Sequence, residues 1–308
     1  MIFVVLPAFS LWLFRNLILY SPNFIHATDL HTVLIATLYR KFYPRTFVVY
    51  DMFDVLSTYW RTNTIIYSIV RSLERKAFVW SNAVVSTSIE RLSLFSSLRQ
   101  RNKIVVPNYP KLVSLRARRK LNKNRMLIRY AGGIGEPSLI PNVVKACHAN
   151  ANLDLELAGR LVGNSVKLRS EIAGNNTSYR GILSPDEALI FIGEADVVPV
   201  LYDQNLSYLV SPQKLFDAMM LGVPVVTNVC QSLVLREQCG LFVGEPTPPN
   251  LQAAFEYLLN NPAARAKMGE NGRSAAERSY NWDPAVARLK SLYKRLQEES
   301  GQQFGAAA

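Results

Sequence analysis

The chain has 308 residues, of which 49% are hydrophobic and 19% charged, and its formal net charge is +12. This length suffices for two domains, and the composition excludes a disordered chain. The basic balance predicts contact with phosphate, whether on a nucleotide, a nucleic acid or an anionic membrane. The sequence contains no zinc-finger spacing, helix-turn-helix pattern or basic aromatic strand, so nucleic acid is not expected as a partner.

The N-terminal segment is almost wholly apolar as far as Phe14, and Arg15 and Asn16 then interrupt the run. The run is too short for a bilayer span, which needs about 20 residues. It also lacks the basic start and the cleavage site of a signal peptide. A buried strand or helix is therefore predicted, with a membrane-surface anchor as the alternative. We expect a cytoplasmic protein that is at most peripheral at the inner face of the membrane.

Short β-rich segments alternate with helical patterns along the chain, which predicts βαβ units and parallel sheets. In the first part, strands are expected at residues 24–28, 46–51, 83–88 and 103–107, and a helix at 64–80. A polar, basic stretch follows Asn108-Tyr109-Pro110 and indicates a domain boundary, which we place after residue 112. In the second part, strands are expected at residues 126–131, 153–158, 196–201, 224–228 and 240–243.

Three helices of the second part have clear boundary signals. Ser184 followed by Pro185 predicts a capped helix start with proline in its first turn. A helix from residue 213 should end at residue 221, because Gly222 follows it and favours a helix C-cap. A last helix is expected to start at Trp282 and to run to about residue 299.

Two turns follow predicted strands, where parallel sheets bind ligands and helix N-termini receive phosphate. The first is Gly132-Gly133-Ile134-Gly135, for which a plain tight turn stays open as the alternative. The second is residues 207–213, which lead into a helix that carries Lys214 and Asp217. Taken alone, Asp217 could also be a favourable partner of the helix dipole.

The segment Ser211-Pro212-Gln213-Lys214-Leu215-Phe216-Asp217-Ala218-Met219, continued by Gly222-Val223-Pro224-Val225-Val226, resembles the donor-site motif of family-four (group 1) glycosyltransferases. Tyr130-Ala131-Gly132, Leu157-Ala158-Gly159 and Ala195-Asp196-Val197 occur in that family's order. The resemblance implies the α/β GT-B fold, with two Rossmann-like parallel-sheet domains. Residues 1–112 would be a shortened acceptor-side domain and 113–284 the nucleotide-sugar domain. Residues 285–308 would form a helix that returns to the first domain, and a tail.

The resemblance implies transfer of a sugar from a UDP- or GDP-type nucleotide sugar to a hydroxyl of a glycan or lipid-linked glycan. It also implies retention at the anomeric carbon, no metal and no cofactor, because the nucleotide sugar is a co-substrate. Asp217 occupies the position of the acid that binds both ribose hydroxyls. The residues expected to bind the donor are Asp217, Lys214, Gln213, Pro212, Ser211, Gly133, Gly132, Arg180 and Arg160.

The sequence departs from the family pattern at Leu209, where a glutamate is usual, at Gly133, where an arginine is common, and at Phe53, where a histidine is common. No catalytic residue can be assigned, and His26 and His31 are candidates only because they lie near a strand end. These departures motivate a second hypothesis, a non-catalytic or partner-dependent homologue that binds nucleotide sugar or protein.

The N-terminal domain is shorter than the family pattern, since one apolar stretch precedes its strand at residues 24–28. A parallel sheet without its first strands leaves unpaired edges and apolar faces. Three explanations stay open: residues 1–20 replace the missing units, a second chain supplies them, or the apolar face rests on an anionic membrane. We therefore expect the chain alone to bind nucleotide sugar through residues 126–285 but to transfer it poorly.

Overall fold

The computed structural model describes residues 2–114, 124–135, 138–163, 169–170, 172–174, 176–203 and 211–305, with side chains from residue 7 to residue 301 in these ranges. The chain divides into unit 1, Met1–Pro107 with Ala285–Ala308, and unit 2, Asn108–Pro284. The sequence-based boundary after residue 112 lies inside unit 2. Tyr109 already packs there, with its ring centroid 4.6 Å from that of Phe216 and 5.6 Å from that of Tyr280.

Unit 1 contains a parallel sheet in the order β1-β2-β3-β4. Its elements are α1 (Ile2–Tyr20), β1 (Phe24–Thr28), α2 (Asp29–Phe42), β2 (Phe47–Met52), α3 (Ile65–Trp80), β3 (Ala83–Ser86), α4 (Ile89–Ser93) and β4 (Lys103–Val105). Side chains of a strand alternate between the two sheet faces. Ala27, Val48 and Tyr50 therefore share one face, where they join a buried cluster with Val33 of α2 and Phe78 of α3.

The apolar N-terminal segment forms a helix, α1, but the expectation that it is buried is wrong for its described side chains. Leu11 is 74% exposed and Leu19 is 67% exposed. The described side chains of α1 pack on α2 through the ring of Phe14, which lies against those of Tyr39 and Phe42, and this contact covers only part of the helix surface. No helix in the described part of the chain is both long and apolar enough to cross a bilayer.

In the residues that the structure describes, unit 2 contains six parallel strands. Its elements are β5 (Met126–Ala131), α5 (Ile140–His148), β6 (Leu153–Ala158), β7 (Thr177–Tyr179), α6 (Pro185–Gly193), β8 (Val198–Val200), α7 (Gln213–Leu221), β9 (Val225–Thr227), α8 (Gln231–Glu237), β10 (Gly240–Phe242), α9 (Pro248–Asn260) and α10 (Pro262–Arg278). One ladder runs β5-β6-β7 and the other β8-β9-β10. Both predicted Rossmann-like parallel sheets of the α/β class are thus confirmed.

Backbone hydrogen bonds join the two ladders of unit 2. The N–H of Asp196 donates to Leu127 O at 2.8 Å, and the N–H of Arg129 donates to Val197 O at 3.2 Å. The combined order is β7-β6-β5-β8-β9-β10, the order of dinucleotide-binding folds. The strand order reverses between β5 and β8. Ligands of such sheets bind beyond the carboxyl ends of the strands at this reversal.

The predicted helix boundaries of α6 and α7 are confirmed. Ser184 caps α6 in a reciprocal arrangement, because its backbone N–H donates to the Glu187 carboxylate at 2.8 Å and its hydroxyl accepts from the Glu187 N–H. Gly222 ends α7 with φ of +75°, a conformation that glycine adopts without strain. The residues at the start of α7 therefore belong to a helix with defined ends, which lies beside β8.

The last helix, α11 (Trp282–Gly305), extends beyond the predicted end near residue 299. Most of it groups with unit 1, where Leu292 and Leu296 are fully buried. The ring of Tyr293 lies 6.1 Å from that of Phe24, on the sheet face opposite to the cluster of α2 and α3. The sheet of unit 1 is therefore covered by helices on both faces.

Candidate functional site

Unit 2 contains a cavity of about 360 Å³ beside the reversal between β5 and β8. Apolar side chains form most of its wall, including Leu189 and Ile192 of α6 and Val198 of β8. Its polar lining comes from Gln213, Lys214 and Asp217 on α7, and from Lys111. An apolar cavity with a few convergent polar groups is the usual form of a small-molecule site.

Asp217 and Lys214 face the cavity from the first two turns of α7 and perturb each other. Burial raises the pKa of Asp217 to about 6, although the positive charge of Lys214 opposes this shift. Burial also lowers the pKa of Lys214, and here the charge of Asp217 opposes the shift. Ionisable groups with perturbed pKa values in a cavity are typical of functional sites. Among the described residues that line the cavity, Asp217 and Lys214 are the ones with perturbed pKa values.

The glycine turn after β5 packs directly against Lys214. Gly132 has φ of +153°, and a Cβ atom placed on it would lie 2.4 Å from Lys214 Cε. Lys214 Nζ lies 5.6 Å from the ring centroid of Tyr130, whose hydroxyl donates to Gly133 O at 2.8 Å. The structure therefore brings the glycine turn against the helix that follows the second turn, whose residues 207–210 lie outside the described residues.

The other residues that were expected to bind the donor do not all lie at the cavity. Pro212 is buried as the residue that precedes α7, and Ser211 comes just before it. Arg180 forms an ion pair with Glu156 at 2.5 Å, and Arg160 is exposed. The cavity wall, as far as the structure describes it, includes neither arginine. Leu209 lies outside the described residues.

Sequence reasoning missed Lys111, because the stretch that follows Asn108-Tyr109-Pro110 was interpreted as a domain boundary. The segment is in fact fixed to unit 2: Pro110 O accepts from the Trp282 N–H at 2.9 Å, and Val113 O accepts from the Arg273 guanidinium at 3.0 Å. Lys111 lies between these two anchors and lines the cavity. Tyr109, an aromatic residue within a polar stretch, was the available signal.

The two histidine candidates both belong to unit 1. His26 Nε2 lies 3.1 Å from an Asp51 carboxylate oxygen, and Nδ1 lies 2.6 Å from the Tyr293 hydroxyl. Because a carboxylate only accepts, Nε2 of the neutral imidazole donates to Asp51 and Nδ1 accepts from Tyr293. The Nε2 contact thus joins β1 to β2, and the Nδ1 contact joins the sheet to α11. The His31 ring lies tilted against that of Phe9, with centroids 6.0 Å apart, and the catalytic role of either histidine stays a prediction.

Comparison with known proteins supports this interpretation of the fold. The family described as glycosyl transferase-like matches residues 143–291. An uncharacterized glycosyltransferase of Methanocaldococcus jannaschii is 20% identical over 194 residues, which cover 56% of this chain and 46% of that protein. The chain thus matches about half the length of this curated relative.

Solved structures match nearly the whole chain. Sucrose-phosphate synthase of Thermosynechococcus elongatus superposes with a TM-score of 0.78 at 17% identity, over 97% of this chain and 80% of that one. The Anabaena protein HepE, solved in complex with UDP-glucose, superposes with a TM-score of 0.74 at 13% identity, over 94% and 82%. The chain therefore has the GT-B fold, as the sequence predicted.

The match over residues 143–291 and the GT-B fold together support the resemblance to glycosyltransferases of the GT-B type. The narrower assignment to family four stays a prediction.

Proposed function

We propose that the chain transfers a sugar from a UDP- or GDP-type nucleotide sugar to a hydroxyl acceptor, with the nucleotide bound in the cavity of unit 2. The observation that carries this proposal is the convergence of Asp217, Lys214 and the Gly132 turn at the strand reversal. A UDP sugar is favoured as the first donor to test, because HepE was solved with UDP-glucose.

Each group at the cavity has a task that suits its chemistry. The Asp217 carboxylate has two oxygens and can accept from both hydroxyls of a ribose. Lys214 and Lys111 supply positive charge for the diphosphate, in place of the arginine that Gly133 replaces. The apolar wall of α6 and β8 suits the flat faces of a base.

Catalysis would then come from positioning the sugar and stabilising the departing diphosphate. Lys214 presents a positive charge to the cavity, and the backbone N–H groups at the start of α7 present the positive ends of their dipoles. Such preorganised groups stabilise charge that develops in the transition state. The expected acceptor is a hydroxyl of a glycan or lipid-linked glycan, and the expected stereochemistry is retention. A peripheral position at a membrane fits a lipid-linked acceptor.

The second hypothesis, a non-catalytic or partner-dependent homologue, is favoured by the residues Phe53 and Gly133 and by the engagement of both nitrogens of His26. One experiment separates the two. The chain is incubated with UDP and GDP sugars, and binding and release of nucleoside diphosphate are followed together, with and without glycan acceptors. Tight binding without any release would leave only the second hypothesis.

Gly132→Ala is expected to weaken nucleotide-sugar binding about tenfold, because the new Cβ would displace the end of the Lys214 side chain that it meets at 2.4 Å. Gly244→Ala, at an exposed glycine of unit 2, is the control. Its Cβ would lie 3.7 Å from Phe242 Cε1, an ordinary contact, so near wild-type binding is expected. Calorimetric titration measures the affinity of both variants for the nucleotide sugar. Equal affinities would show that Lys214 is not part of the phosphate site.

Activity is expected to survive treatment with EDTA, because two lysines, Lys111 and Lys214, can neutralise the diphosphate at the cavity. The reaction would then need the nucleotide sugar and the acceptor but no metal ion. Release of nucleoside diphosphate is measured before and after chelation and again with added Mg²⁺ or Mn²⁺. A complete loss that either ion restores would contradict this expectation.

A further inference from the structure

The helices α1, α2 and α3 end at the same edge of the unit 1 sheet, because each is followed closely by one of the parallel strands β1, β2 and β3. Their last turns carry an unusual combination of exposed aromatic and apolar side chains with basic ones. We call this surface the basic aromatic edge, and define it by Leu19, Tyr20, Arg40, Lys41, Phe42, Tyr43, Arg45, Lys76, Val79 and Trp80.

Three basic members of the basic aromatic edge, Arg40, Lys41 and Lys76, contact Trp80. Lys41 Nζ lies 4.6 Å from the ring centroid of Trp80, and Lys76 Nζ lies 6.0 Å from it. The Arg40 guanidinium donates to Trp80 O at 2.8 Å. A cavity of about 380 Å³ opens between them, lined also by Pro44 and Val79. The ends of α2 and α3 therefore form one continuous surface.

All charged members of the basic aromatic edge are positively charged. The four acidic residues between positions 2 and 82 are Asp29, Asp51, Asp54 and Glu74. Glu74 is fully buried and accepts from Ser57. The other three follow or end β1 and β2, at the opposite end of the strands. None of these four carboxylates is therefore exposed at the basic aromatic edge.

The positive charge continues along the same side to the start of β4, where Arg99, Arg101 and Lys103 are exposed. A carboxylate also reaches this region, since Glu299 of α11 accepts from Asn102 at 3.3 Å. It belongs to the helix on the other sheet face. The basic surface therefore stays continuous on the side of α2 and α3.

We propose that the basic aromatic edge docks the protein on the surface of an anionic lipid bilayer. Aromatic rings and aliphatic side chains favour the headgroup boundary, while lysine and arginine contact anionic headgroups above it. A nucleic acid would satisfy the charge but would give Leu19 and Val79 no apolar partner. A second copy would bring the same positive charge against this edge and be repelled. The proposal does not depend on sugar transfer.

The test is co-sedimentation of the full chain with phosphatidylcholine vesicles, with and without phosphatidylglycerol. Each basic residue near an anionic surface contributes about fivefold to binding, so the charge reversal Lys41→Glu should weaken it about 25-fold. Lys290→Glu, on an exposed position of α11, changes the net charge equally and should retain most of the binding.

A second pair of variants tests the apolar part. Phe42 is 68% exposed, and Phe42→Ser should weaken vesicle binding severalfold, whereas Leu235→Ser, at a 57% exposed position of unit 2, should not. Thermal unfolding of all four variants verifies that they are folded.

Three outcomes would overturn the proposal. The wild-type chain could bind both kinds of vesicle equally or not at all. Lys290→Glu could weaken binding as much as Lys41→Glu. The edge could instead bind single-stranded DNA or a second copy in a Lys41- or Phe42-dependent way without binding vesicles, as gel shift and light scattering would show.

Discussion

Asp217→Asn is expected to weaken nucleotide-sugar binding by about 10- to 150-fold. The substitution keeps the shape of the side chain but removes the charge that would accept from the ribose hydroxyls. Hydrogen bonds to a charged group contribute about 1.5–3 kcal/mol, which sets this range. Calorimetric titration measures the effect. Asp186→Asn, at an exposed acid in the first turn of α6, is the matched control and should bind like the wild type.

The pH dependence of binding follows from the same residue. Burial raises the pKa of Asp217 to about 6, and the carboxylate is the form that accepts from the ribose. Binding to the wild-type chain should therefore weaken as the pH falls below about 6, by up to about tenfold per pH unit. In Asp217→Asn this dependence should vanish, whereas a general loss of folding would leave no binding at any pH.

Stability distinguishes a binding defect from unfolding. Because the folded-state pKa of Asp217 lies above its ordinary value of 3.8, the folded chain binds more protons than the unfolded chain between 3.8 and about 6. The ionised carboxylate therefore costs stability above about pH 6, and that cost disappears below the ordinary value. Asp217→Asn removes this cost but leaves Lys214 without its partner, so an unfolding temperature near that of the wild type is expected.

Asp196→Ala is expected to lower the free energy of unfolding by about 3–5 kcal/mol. The Asp196 carboxylate accepts from the Leu127 N–H at 2.8 Å, and its other oxygen lies 3.7 Å from the Arg265 guanidinium. Both charged side chains are 1% exposed. Removing the acid leaves a buried arginine charge without this carboxylate and a buried N–H without its acceptor, where β5 meets β8.

Denaturant unfolding measures this loss, and Asp154→Ala is its control. Asp154 pairs with Arg125, but their side chains are 31% and 48% exposed, so at most about 1 kcal/mol is expected. Equal costs for the two substitutions would show that the buried pair does not hold the two ladders together.

Elements whose signals are local were predictable from the sequence. β5 and β6 occupy the predicted residues, since each is a short apolar strand bounded by polar or glycine residues. The Ser184 cap and the Gly222 helix end also depend only on neighbouring residues. β8 is shorter than predicted, because Asp196 and Val197 bond across to β5 rather than lying in the ladder with β9.

Features that depend on distant partners were not predictable. The exposure of α1 depends on what packs against it, which the apolar run itself does not encode. Arg180 was expected to bind the donor. Its pairing with Glu156 could be predicted only from the register of β6 against β7, which the sequence does not show. The place of Lys111 at the cavity depends on the contacts of Pro110 and Val113 with residues far along the chain. In contrast, the pairing of the Gly132 turn with α7 follows from the strand order alone.

Hydrogen–deuterium exchange of the wild-type chain, with and without UDP-glucose or a GDP sugar, locates the nucleotide directly. We expect slowed exchange of backbone amides in residues 131–135, 211–217 and 111–113, and little change in unit 1. Asp217→Asn should lose this protection at the same ligand concentration. Protection confined to unit 1, or the same protection in Asp217→Asn, would contradict a nucleotide-sugar site in the cavity of unit 2.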